Sequence, residues 1–427
     1  MIAVALPAIV EDFDSDLATA SWLVTAYLIV LASMQPVLGK VGDRLGRRSL
    51  MLLGLALFGV ASLGAALAPS LATLIAFRVL QAIGAGVTLP NGVAVLREEI
   101  GQERRGSAFG MVAGAIGIAA AAGPAFGGLV VAAGSWPSVF YANIPLVAVA
   151  LYMVWRFVPR RPRTASYAAF DLLGAVILAT GTGGLALLII EGLPRFGAGW
   201  IAAAAVGLGA LTFAFVRYEL GHQDPIIRPQ LFRVRAFTAA SLGVAFSNLA
   251  FYTMIITTPI VLITELGWNV ASTGFALMLL SGPLIVLAPL GGRLADRAGR
   301  RAPTVLGHGL ATAGLIPLAL TSEPGAALLL ASMGIAGVGF GLAFASLQTA
   351  AVDAVSSAEA GVASGIYSTS RYLGSIIGSA ALASLLIVGT DAVEGLKDVL
   401  IMVTVSAFLS TVVVAALPGR THVALPR

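Results

Sequence analysis

Apolar stretches of about 20 residues follow one another along nearly the whole chain, and the short segments between them hold almost every charge. None shows the period-two alternation of a membrane β-strand, so the pattern predicts helices whose backbone groups are satisfied within each segment. The predicted spans are 20–39, 49–68, 72–95, 107–132, 139–158, 172–190, 198–218, 236–263, 272–290, 303–321, 326–349, 361–388 and 399–418. A shorter apolar stub, "MIAVALPAIV", occupies residues 1–10. As a helix it reaches about 15 Å, half the hydrocarbon thickness, so it reads as half a span.

Composition narrows the class. The chain has 427 residues, 58% hydrophobic and only 11% charged, and its mean hydropathy is +0.96. A soluble chain is about 25% charged, so this is read as an all-α polytopic membrane protein. The absence of cysteine excludes disulfide and thiolate chemistry. The net charge of +5 raises the question of a nucleic-acid partner, but its placement answers another one. With the 39–48 loop in the cytoplasm and sides alternating, 21 of the 25 basic residues fall on the cytoplasmic side, and only Arg195 and Lys397 on the other. Arg78 and Arg371 lie inside spans. The basic bias therefore reports orientation, with a cytoplasmic C-terminus, and leaves nothing for nucleic acid to explain.

The segment "GKVGDRLGRR" at 39–48 returns as "GRLADRAGRR" at 292–301, 253 residues later. A weaker echo links "GSAFGMVAGAIG" (106–117) to "GVASGIYSTSRYLG" (361–374). The two offsets imply a duplicated unit: two parallel six-helix bundles, 1–158 and 236–420, two inserted helices within 159–235, and a cytoplasmic tail at 421–427. Duplication of this kind marks transporters that rock about a central site.

The repeated loops, together with "WLVTAYLI" (22–29), "RVLQAIGAGVTLP" (78–90), "GPAFGG" (123–128), "FYANIP" (140–145), "LFRVRAF" (231–237) and "STSRYLG" (368–374), resemble the major facilitator superfamily and, within it, the fourteen-helix drug:proton antiporters. The likeness runs through nearly the whole chain in order. It implies the major facilitator fold, with 13 full spans and a partial first helix here.

In the loops, Gly39 and Gly46 suit a tight turn and close helix approach. The arginines either fix orientation against anionic headgroups or pair with Asp43. The resemblance implies a cytoplasmic latch between the bundles, made by Gly39, Asp43, Arg44, Gly46, Arg47 and Arg48 and, in the second copy, by Gly292, Asp296, Arg297, Gly299, Arg300 and Arg301. Arg78, flanked by apolar residues, costs about 2.5–3.5 kcal/mol to insert and needs compensation. It is either a snorkelling cation or a cavity-facing one, and the resemblance implies proton coupling. Ala82 and Gly86 depart from the motif but remain small. Gly123-x-x-x-Gly127 makes a flat packing face and Pro124 permits a bend. With Gly128, these residues resemble the family's antiport hinge. The expected cavity lining is Trp22, Tyr27, Asn91, Asn248, Tyr252, Tyr367 and Arg371.

The family's first-helix acid precedes an Ala-Leu-Pro ending, here Ala5-Leu6-Pro7, so its place falls upstream of Met1. An upstream segment carrying it is expected. The three histidines, His222, His308 and His422, read as interfacial or loop residues, and no metal spacing, phosphate loop or catalytic triad order is present. The expectation is thus a non-enzymatic inner-membrane exporter of small amphipathic compounds, monomeric in the lipid bilayer. It would use the proton gradient rather than ATP or a cofactor. A metabolite facilitator or symporter of the same fold, and a non-transporting scaffold or sensor, are the alternatives. Orientation is checked in this cysteine-free chain with single cysteines. Arg195→Cys is expected to react with an impermeant maleimide in intact cells, and Arg160→Cys only after permeabilisation.

Overall fold

The computed structural model describes residues 2–99, 105–160, 171–189, 196–222, 225, 227–321, 324–355, 360–388 and 392–419. A helix, or a short run of helices, underlies each predicted span. In the N-terminal bundle these are α1 (Ile2–Asp12), α2 (Leu17–Leu45), α3 (Arg47–Ala66), α4 (Leu71–Glu99), α5 (Arg105–Ala133), and α6 (Ser138–Tyr141) running into α7 (Asn143–Phe157). The inserted pair is α8 (Leu172–Leu187) and α9 (Ala198–Gly221). The C-terminal bundle has α10 (Arg235–Ile260), a broken span of α11 (Val270–Ala276), α12 (Met278–Ser281) and α13 (Pro283–Ala298), then α14 (Arg301–Ala319), α15 (Ala326–Asp353), α16 (Ala360–Val388) and α17 (Ala392–Val414). By length and composition, nine helices among the described residues are able to cross a bilayer, and shorter apolar stretches lie on α2, α5 and α8.

Local chemistry sets several of the boundaries. Asp16 accepts a hydrogen bond from Thr19 N at 2.8 Å to start α2, and Asn269 does the same for Ser272 N to start α11. Pro259 has no N–H to donate within α10, and the helix end widens into a π turn over Val261–Glu265. The repeated loop is mostly helical rather than a turn. Residues 39–45 continue α2, so Gly39 is a helix residue, and the chain reverses only at Gly46, where φ is +88°. Gly299 makes the same break in the second copy, with φ +83°. Both backbones are in a region that L side chains rarely adopt, which explains a glycine at this offset in each half.

The duplication reaches into the packing. A Cβ built on Gly84 would lie 2.5 Å from Gly54 O, so α3 and α4 cross backbone to backbone. In the second bundle a Cβ on Gly307 would lie 2.5 Å from Gly339 O, at the matching crossing of α14 and α15. Lipid tails are as apolar as leucine, so helices associate by close van der Waals fit, and small residues provide it.

The bundles meet along two seams that the repeat relates to each other: α2 against α16, and α5 against the broken span α11–α13. Along the first, the Thr25 and Ser379 hydroxyls share a buried 2.8 Å hydrogen bond, and Thr369 donates to Ala32 O at 3.4 Å. Along the second, a Cβ on Gly274 would lie 2.6 Å from Pro124 O and 3.1 Å from Gly128 Cα. The packing face on α5 is therefore Pro124, Ala125 and Gly128; Gly123 has nothing within 4 Å of a Cβ. The inserted helix α8 rests on α2 and α16, while α9 contacts α8 and the turn at Pro229–Arg233 and leaves much of its length exposed, with Trp200 74% and Phe213 68% exposed.

The described side chains of α5 divide by face: Ala115, Ile118, Ala119, Ala122, Phe126 and Leu129 are exposed on one side, whereas Pro124, Ala125, Gly127, Gly128 and Val131 are buried on the other. At the end that the basic residues assign to the exterior, Trp136 donates to Asp12 Oδ2 at 2.7 Å and packs against Phe13 and Phe140, tying α1 to the α5–α6 turn. Gly274→Ala is expected to cost about 1–3 kcal/mol by overpacking the crossing, and Gly123→Ala less than about 0.5 kcal/mol. The comparison is made by thermal unfolding of the two purified variants.

Candidate functional site

Arg78 sits in α4, and its compensation is visible. Its Nε donates to Leu23 O at 3.0 Å and its Nη1 to Gln81 Oε1 at 3.0 Å, with the guanidinium carbon 4.1 Å from the Tyr27 ring centroid. Gln81, three residues on, is on the same helix face; its amide donates to Ser62 Oγ at 2.7 Å, and Ser62 donates to Phe58 O. A polar thread thus runs from the cation through α4 to α3. It holds the guanidinium in a fixed plane while leaving it half-buried rather than sealed. The family resemblance drew attention to Arg78 and Gln81, but the Ser62 end was missed, because a lone serine in an apolar helix carries no sequence signal.

Across the bundle interface, Arg371 in α16 is also half-buried. It hydrogen-bonds the Tyr372 side chain, with its guanidinium carbon 5.2 Å from that ring centroid. Arg78 is within electrostatic range of Tyr27 and Tyr252, and Arg371 of Tyr252, Tyr367 and Tyr372. Tyr252, on α10, is within range of both arginines. The structure therefore brings Arg78 and Tyr27 from one bundle together with Tyr252, Tyr372 and Arg371 from the other. No carboxylate among the described residues contacts either arginine. Tyr372 was not anticipated, although it directly follows Arg371.

The other candidates lie elsewhere. Trp22 packs against the main apolar core, and Tyr367, 4% exposed, against a second core inside the C-terminal bundle. Asn248 turns back onto its own helix, donating to Val244 O at 3.2 Å. Asn91 is fully buried between α4 and α2, donating to Leu38 O at 3.1 Å and Val87 O at 2.8 Å, and a side chain at Gly42 would collide with it. His308 corrects the interfacial reading: it is 1% exposed within α14, with Nδ1 2.8 Å from Thr304 O. His222 caps α9 against the Tyr218 ring, and His422 is outside the described residues. Glu219, 1% exposed, was also not foreseen. It accepts from Ile227 N, beside Asp171, which caps α8 and accepts from the Tyr218 hydroxyl.

At the loops, two arginine contacts lie within their own bundles. Arg48 donates to Trp155 O at the end of α7, and Arg300 pairs with Asp353 at the end of α15. The side chains of Asp43, Arg44 and Asp296 lie outside the described residues. Gly292 packs beside Ala345 at an ordinary distance, and Arg297 and Arg301 lie exposed on the same rim. A depression of about 250 Å3 lined by Arg235, Arg301 and Leu417 opens on this rim, away from the central arginines.

Comparison with known proteins places this arrangement. Residues 1–379 match the Major Facilitator Superfamily. The uncharacterized MFS-type transporter YvkA of Bacillus subtilis (strain 168) is 36% identical over 382 residues, covering 89% of this chain and 85% of its own. The multidrug resistance protein Stp of Mycobacterium tuberculosis (strain CDC 1551 / Oshkosh) is 30% identical, covering 90% of this chain and 72% of its own. Among solved structures, a peptide transporter POT in complex with sulfate superposes with a TM-score of 0.69 over 97% of this chain and 90% of its own, at 15% identity, and so shares the fold. For the arginine site, a double-mutant cycle of Arg78→Gln with Gln81→Leu is expected to show about 1 kcal/mol of coupling in unfolding free energy, as for residues in one hydrogen-bonded network. Additive effects would mean that the thread does not form.

Proposed function

Because the chain belongs to the major facilitator superfamily, we propose that it is a secondary transporter that exports small amphipathic compounds by alternating access in exchange for protons. The observation that carries this reading is the central cluster. Arg78 and Arg371 come from opposite bundles, sit half-buried inside the membrane, and share Tyr252 between them. Charge kept in hydrocarbon without a task is costly, and charge at the interface of two pseudo-symmetric bundles is where substrate is bound in rocking transporters. The relative named a multidrug resistance protein, at 30% identity, supports export over uptake.

Alternating access needs two seams that close in turn. Here the Gly274–Pro124 crossing and the Thr25–Ser379 hydrogen bond join the two bundles, one on each seam. In the opposite state Asp43 and its neighbours would tie the loop ends together. Arg78 would link substrate binding to proton movement by favouring the ionised form of an acid nearby. The described spans hold no carboxylate in their interior, so that acid would come from outside the described residues. The proton gradient is the energy source in this reading. The transporter works in the cytoplasmic membrane as a monomer, without ATP or a bound cofactor.

Expression in a host lacking its own efflux pumps is expected to raise resistance to a subset of an amphipathic drug panel and to lower cell-associated drug. A protonophore is expected to abolish the difference. Arg78→Gln should lower the initial efflux rate about tenfold or more, equal to about 1.4 kcal/mol of lost stabilisation. Efflux that persists under the protonophore, or drug accumulation above the host level, would replace proton-driven export with another reading.

A further inference from the structure

The last arginine of the repeated loop is used differently in the two halves. Arg48 donates to Trp155 O at the end of α7, whereas its counterpart Arg301 lines the rim depression of about 250 Å3 together with Arg235 and Leu417. A second depression, of about 320 Å3, shares Arg301 and Gly419 with the first and extends beside Ala302, Val305 and Leu306 of α14. Every described side chain that lines either depression is apolar or cationic. Both arginines are exposed, and each is the first residue of a long helix, α10 or α14. Neither N-cap residue, Val234 or Arg300, supplies a side-chain cap. The two helix starts therefore add positive potential to the charge of the arginines. The same face of α14 continues past the depression as Leu306 and Leu310, 62% and 39% exposed.

We infer that the joined depressions hold one anionic phospholipid of the cytoplasmic leaflet, its phosphate at Arg235 and Arg301 and an acyl chain along Ala302, Leu306 and Leu310. Three observations favour this occupant. The site lies where α10, α14 and α17 end on the side that the basic residues assign to the cytoplasm, which is headgroup level. Arg235 and Arg301 border one small depression, so a phosphate in it is within reach of both side chains. Arginine lays its methylene stem on apolar wall, keeps its charged head at the water side, and meets phosphate oxygens with a planar fork. The remaining walls are apolar, which suits an acyl chain and gives nothing to a free phosphate ion. A zwitterionic headgroup brings its own cation toward two arginines and gains less. The lipid would tie the starts of α10 and α14 to the end of α17, whatever compound the protein transports.

The test uses the purified full chain in a neutral detergent, titrated by calorimetry with dioctanoyl-phosphatidylglycerol, dioctanoyl-phosphatidylcholine, glycerophosphoglycerol and inorganic phosphate. Phosphatidylglycerol is expected to bind at least about tenfold more tightly than phosphatidylcholine, the difference made by one charge-assisted contact. The two probes without acyl chains should bind at least about tenfold more weakly than phosphatidylglycerol. Arg235→Gln and Arg301→Gln are each expected to bring phosphatidylglycerol down to the affinity of phosphatidylcholine, while Arg301→Lys retains part of the preference. Ala302→Trp fills the second depression and should weaken both lipids. Arg156→Gln removes an exposed cation at the end of α7, outside the depressions, and should change nothing. Saturating phosphatidylglycerol is also expected to raise the thermal midpoint of the native chain and not that of Arg301→Gln. Size-exclusion elution shows whether each variant is folded, and the Lys and Trp variants keep the test valid if a Gln variant is not.

Equal binding of the two lipids, or a preference that survives in both Gln variants, would overturn the inference. A loss in Arg156→Gln as large as in Arg301→Gln would replace the site with diffuse attraction to the basic face. Glycerophosphoglycerol or inorganic phosphate binding as tightly as phosphatidylglycerol would make it an anion site without a lipid, which also overturns the inference. None of these outcomes bears on export, which is read from drug resistance and its sensitivity to a protonophore.

Discussion

The structure depends on how it carries charge through hydrocarbon. Outside the central site, nearly every charge lies at helix ends, and the spans associate through backbone approach at glycine, since no hydrophobic force drives helices together in lipid. Arg78 is the exception that organises the rest. Its Leu23 carbonyl, Gln81 and Ser62 partners bind α2, α4 and α3 into one unit. Arg371 is the counterpart in the other bundle, with an aromatic neighbour and no polar thread.

The two seams show why the bundles are able to move as bodies. Within each bundle the crossings are tight and repeated, Gly54–Gly84 in one and Gly307–Gly339 in the other. Between bundles, α2 meets α16 and α5 meets the broken span, with a hydroxyl pair on the first seam and a glycine crossing on the second. Two repeated halves that meet along seams related by the repeat fit the geometry of rocking transporters. The inserted helices α8 and α9 lie beside the α2–α16 seam without filling it.

Much of this was legible in the sequence, for identifiable reasons. Span positions followed from bilayer thickness, and the duplication from a charged loop that stands out in an apolar chain. The glycines at 46 and 299 kept the same left-handed backbone in both halves. What escaped were contacts whose partners are far apart in sequence and chemically bland. Gly128, not Gly123, meets the other bundle, because helix rotation about α5 is set by a partner more than a hundred residues away. Asn91 reads as a polar residue in a span, and only the facing Gly42 backbone explains its burial. His308 reads as near an interface from its place in the span, yet the α14 crossing buries it fully.

The most direct measurement of the central claim is the distance between bundles at each end, read by paired spin labels on this cysteine-free chain. One pair at positions 45 and 298 reports the loop end, and one at 135 and 266 the opposite end. The account predicts two populations at each end that shift in opposite senses when a transported compound is added. Distances that stay fixed at both ends, or that lengthen and shorten together, would contradict alternating access about the arginine site.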